Sequence, residues 1–101
     1  MIDWEPIVAE GEKVARQLLR LQVDLSEAEK AGDYFIGHGY VEAEMAHYLR
    51  LLASNPPARS QRSKAHYEGI RDIWDGWRTT LHGADKARAW GWGVRLAKAG
   101  G

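Results

Sequence analysis

Between Tyr67 and Leu81 the large apolar side chains recur at intervals of three and four residues: Tyr67, Ile70, Ile73, Trp74, Trp77 and Leu81. On an α-helix these six fall within roughly 60° of Ile70, opposite Glu68, Asp72, Asp75 and Thr79, so the stretch is predicted as a strongly amphipathic helix. A helix of this kind must bury its stripe, and the rest of the chain offers helices as partners. Ile7, Val14, Leu18, Leu21 and Leu25 share a face behind a plausible helix start at Asp3 or Glu5 and Pro6, and Val41, Met45, Tyr48 and Leu52 share another. No pair of strand-like runs is present. The expected fold class is therefore all-α, a small bundle of four to five helices at roughly 5–24, 27–37, 40–54, 62–81 and 84–98, forming a single domain over residues 1–101.

Local signals divide these segments. Ser26 to Glu29 reads SEAE, a capping-box form that predicts a helix start, and the first helix then ends near Asp24. GDYFIGHGY, with glycines at 32, 37 and 39, is a turn region or a short, weak helix. NPPARSQRSK, with two prolines and no acid, is the clearest loop, and it marks a change of charge. Residues 1–54 carry ten acids and five bases, net −5; residues 55–101 carry four acids and nine bases, net +5. The whole chain is neutral, which argues against a general nucleic-acid binder, but the polarity can be satisfied within the monomer, between copies or by an acidic partner.

Cysteine is absent, so disulfide scaffolds, thiolate zinc sites and thiol nucleophiles are excluded. The apolar runs are only a few residues long and the N-terminus lacks the pattern of a signal peptide; a soluble cytoplasmic protein with no membrane partner is expected.

Residues 28–56 resemble part of a tetratricopeptide repeat: Gly32, Phe35, Tyr48 and Pro56 fall at that pattern's Gly, aromatic, aromatic and Pro positions. The resemblance stops there, because Ala28 and Ala31 stand where Trp and Leu are usual, Glu44 replaces a small Ala, and no second copy follows; the segment reads as a helical hairpin. Glu44 and His47 have the Glu-x-x-His spacing of carboxylate-bridged di-iron bundles, and Glu29 could add a further ligand, an arrangement similar to small ferritin-like proteins. Such pairs also arise by chance, and Glu29 has a capping role, so no metal or other cofactor is expected. Arg59 and His66 resemble the Arg-x(4–6)-His spacing of HEPN-type ribonucleases; His66 lies toward the apolar face of its helix, where a hydrogen-bonded structural imidazole is the commoner role.

The last segment, RAWGWGVRLAKAGG, alternates with period two, but it has no partner strand and follows the helix-forming ADKARA. A helix is therefore the preferred reading. It turns Trp90, Ala87, Val94 and Ala97 toward the core and sets Trp92 between Arg88 and Arg95 on the far side. There Trp92 is covered by a loop or the N-terminal segment, or it anchors a protein contact, or it stacks a nucleobase. The functional expectation is a small helical protein-interaction module or assembly subunit with no evident catalytic activity. A homo-oligomer or a complex with a protein partner is expected, with Arg88, Trp92 and Arg95 as the interaction surface. The alternative is a nucleic-acid-associated subunit in which Arg59, Arg62 and Lys64 add phosphate contacts, with a di-iron protein a distant third.

Overall fold

The computed structural model describes residues 1–55 and 61–100, and of Gln61 and Arg62 the backbone only. Five helices, α1 (Trp4–Arg20), α2 (Leu25–Gly37), α3 (Glu42–Ser54), α4 (Gln61–Gly76) and α5 (Gly83–Gly100), make a small all-α bundle, with no strand among the described residues.

The helix ends follow side-chain chemistry. Asp3 caps α1 by accepting the Glu5 backbone N–H at 3.3 Å, and Asp24 caps α2 by accepting from Ser26 and Glu27 at 2.9 and 3.2 Å. The start of α2 therefore belongs to Asp24 and not to the Ser26 capping box. At its other end α2 closes with a Schellman turn. The Tyr40 N–H donates to Phe35 and that of Gly39 to Ile36, Gly39 sits at φ +71°, and the Tyr40 and Phe35 rings meet edge to face at 5.7 Å. The glycine-rich stretch is thus a full helix with a built stop. The same turn ends α1 four residues before the expected limit: Gln22 takes φ +53° and the Val23 N–H reaches Leu18. Leu21 is consequently exposed, and Leu25 opens α2 instead of extending the α1 face.

α4 also stops earlier than its apolar pattern, at Gly76 instead of residue 81. The Trp77 N–H folds back to Trp74, and Thr79 Oγ1 accepts the Leu81 N–H, local bonds that compete with further helix. On α3 the buried stripe is Met45, Leu49 and Ala53, with Tyr48 and Leu52 half-buried and Val41 exposed. Met45, Tyr48, Leu49, Leu52 and Ala53 lie on one broad apolar arc of α3, opposite Glu44, His47 and Arg50, and packing against α4 centres the buried stripe on Leu49.

α1 and α5 form the most extensive helix pair. Small residues let their backbones meet: a Cβ on Gly93 would stand 2.7 Å from Val14 Cγ1 and 2.8 Å from the Gly11 carbonyl oxygen. Across the bundle Trp90 of α5 enters a slot on α2. Its indole N–H donates to the Ala28 carbonyl at 2.8 Å, and the ring lies where a Cβ on Gly32 would fall. Phe35, Trp74, Trp77 and Trp90 then pack with centroids 5.0–6.0 Å apart; Trp74 meets the other three edge to face, a preferred aromatic geometry, and Trp77 tilts against Trp90 at 41°. No helix among the described residues is long and apolar enough to cross a membrane.

Candidate interaction groove between α2 and α5

A groove of about 410 Å³ runs along α2 and α5, with Trp4 at the start of α1 adding to its lining. Gly32, Ala87, Gly91, Trp90 and Val94 line it together with Ile36 and Tyr40. Three of its large apolar residues are open to solvent: Trp4 at 51% exposure, Ile36 at 49% and Tyr40 at 38%. The Schellman turn that ends α2 is what holds Tyr40 here, against Phe35. Acids lie on α2, as Glu29 and Asp33, and bases on α5, as Arg88, Arg95 and Lys98.

The three residues expected to form a contact surface, Arg88, Trp92 and Arg95, all line this groove. Trp92 is not the fully outward ring that helical spacing alone gives. It is half-buried, with Cδ1 2.7 Å from where a Cβ on Gly11 would stand and its indole N–H buried without a hydrogen-bond partner, so α1 covers one side of it. Arg88 pairs with Asp85 at 2.8 Å, and Arg95 is exposed. Trp90, Val94, Ala87 and Ala97 are buried as expected.

Of the expected phosphate contacts, Arg59 lies outside the described residues, as does the Arg62 side chain, and Lys64 is exposed in the first turn of α4 and does not line the groove. Glu29 accepts a hydrogen bond from Lys98, which holds its carboxyl below the usual range, with Arg95 adding to the effect. Glu44 and His47 are exposed on α3, and among the described residues no three His, Asp or Glu side chains gather closely enough to hold a metal ion. His66 is a structural residue: its Nδ1 accepts the Asp24 backbone N–H at 3.0 Å, bracing the α1–α2 corner against α4.

Sequence reasoning missed Trp4, Ile36, Tyr40 and Gly91. The GHGY stretch carried the signal for Tyr40, since Gly two residues past a helix end with an aromatic next is the Schellman pattern. Lys86 was also missed. It is buried, 4.3 Å from the Trp74 ring centroid and 3.0 Å from Glu42 Oε1, so a cation–π contact links α5 to α4 and an ion pair links it to α3. Compared with models of known protein families, with curated proteins and with solved structures, the chain matches none of them.

Proposed function

We propose that this chain is a small helical interaction module that joins another protein chain through the α2–α5 groove. The observation that carries the reading is the open glycine on the groove lining. A helix-interior glycine costs about 1 kcal/mol against alanine. Gly11, Gly32, Gly69 and Gly93 each have a packed neighbour where a Cβ would stand, whereas Gly91, central in α5, has nothing within 4 Å among the described residues. A bare backbone beside exposed Trp4, Ile36 and Tyr40 suits the close approach of a partner helix, and aromatic residues with Arg are the usual composition of contact hot spots.

A second copy is the partner best matched by charge. Glu29 and Lys98 pair within the monomer and Arg88 pairs with Asp85, which leaves Asp33 on the α2 wall and Arg95 on the α5 wall; a two-fold axis along the groove sets each of these against its opposite in the second copy. The test places a photo-crosslinking residue at Ile36 and, as control, at exposed Glu12. An adduct from Ile36 of twice the chain's mass, lost in Gly91→Leu, supports the module and its self-association. An adduct of any other mass overturns self-association, and no adduct from Ile36 overturns both readings.

A further inference from the structure

We propose that a second cleft, between the C-terminal half of α1 and the end of α4, binds a phosphate-bearing anion. This cleft has a volume of about 520 Å³ and does not share lining with the α2–α5 groove. Lys13, Arg16 and Arg20 occupy one arc of α1, because residues three, four and seven apart share a helical face. Arg78 lines the cleft from a different element, two residues beyond the end of α4, and half-buried Trp77 adds an apolar wall. Asp72 is the acid of the lining, and it is engaged by Arg71 at 3.1 Å. Lys13 pairs with Glu10 at 3.2 Å, but among the described residues no carboxylate pairs with Arg16, Arg20 or Arg78.

Three exposed guanidinium groups lining one concavity give it a positive potential that favours an anion there. The C-terminal end of the α1 dipole favours Arg20 in its last turn, but it does not account for Arg78 arriving from the α4 side. Arginine also fixes the ligand's chemistry. Its planar fork of donors matches the paired oxygens of a phosphate, and several forks around one site favour a group with several anionic oxygens over a single carboxylate. Such a phosphate is carried by a soluble phosphorylated molecule or by a nucleic-acid strand.

The experiment titrates sodium tripolyphosphate and, separately, a short oligothymidine into the whole chain, followed by amide chemical shifts and tryptophan fluorescence. Saturable shifts confined to residues 13–20 and 76–78 are expected with tripolyphosphate. Affinity should fall by about tenfold or more in an Arg16→Gln, Arg78→Gln double variant, as loss of charge-assisted hydrogen bonds predicts. A Lys30→Gln, Arg50→Gln double variant, which removes the same charge from exposed positions outside both clefts, should bind as the wild type does. Arg20→Gln alone repeats the test should the first double variant lose its helical circular dichroism. Tighter binding of oligothymidine, with affinity falling steeply as salt rises, identifies a strand as the source; equal or weaker binding identifies a soluble phosphate. Absence of saturable shifts with both probes overturns the proposal, as does an equal loss of affinity in the two double variants, which would reflect net charge alone.

Discussion

Two indoles two residues apart lead opposite lives on α5. Trp90 is 1% exposed, donates its N–H to Ala28 and meets Trp74 and Trp77, while Trp92 is half-buried with its N–H enclosed and unpartnered. Truncating Trp90 to Ala is expected to cost about 3–5 kcal/mol, the usual range for a large buried aromatic. Phenylalanine separates the hydrogen bond from the packing. Trp90→Phe gives up a formed bond, whereas Trp92→Phe removes a donor that folding had already stripped of water, so the first should cost at least about 1 kcal/mol more than the second. Urea denaturation of the two variants measures the difference, and equal costs would mean that the Ala28 bond contributes nothing net. The inward direction of Trp90 was legible from helical spacing. The contact between Trp92 and Gly11 was not, because it depends on how closely α1 approaches α5, and a helical wheel holds no information on neighbours.

At the scale of elements, glycine placement decides how closely helices pack and what remains open. Gly93→Ala sets a methyl group 2.8 Å from a backbone oxygen of α1, and backbone cannot step aside as a side-chain tip can. The variant should lose about 1–3 kcal/mol to overpacking, more than the roughly 1 kcal/mol of helix propensity it gains. Gly91→Ala meets no atom and should stabilise the isolated chain by about 0.5–1 kcal/mol. Opposite signs from two glycines two residues apart in the same helix are the expected result of chemical denaturation at low protein concentration. A destabilising Gly91→Ala would place an atom beside that glycine and remove the argument that it lies open. Apolar spacing made α1, α3 and α4 readable, whereas α2 rested on a start signal and α5 on the helix-forming ADKARA against a period-two pattern, and the helix ends were less legible still. α4 shows the reason: Trp77 continues the helical spacing while lying beyond the helix, since a side chain can reach the same core from a turn. Local competition from Gly76, Thr79 and Gln22 fixed the boundaries, and such competition leaves no mark on periodicity.

For the molecule as a whole, the charge switch between its halves was visible in composition, and part of it is resolved inside the monomer. Glu29 pairs with Lys98, and Glu42 with Lys86, each across the boundary between the acidic and basic portions. Which acid meets which base was not legible, because partners 44 and 69 residues apart are set by helix packing. The pH response follows from groups whose ionisation differs between folded and unfolded chain. Burial raises the Tyr48 phenol, with the Glu27 carboxylate adding to it, and burial together with Glu27 raises Tyr67 in the same direction. A raised folded value means that the unfolded chain gives up these protons first. The associated stability is fully present below the ordinary phenol value of 10.0 and is lost as pH rises through the higher folded values. The urea midpoint should therefore decline above about pH 10, and a Tyr48→Phe, Tyr67→Phe double variant should decline less, although lysines titrate in both proteins. Ultraviolet phenolate absorbance supplies the independent check: two tyrosines of the folded wild type should ionise later than in the urea-unfolded chain. Identical alkaline slopes for wild type and double variant would show that neither phenol is held in its neutral form by the fold.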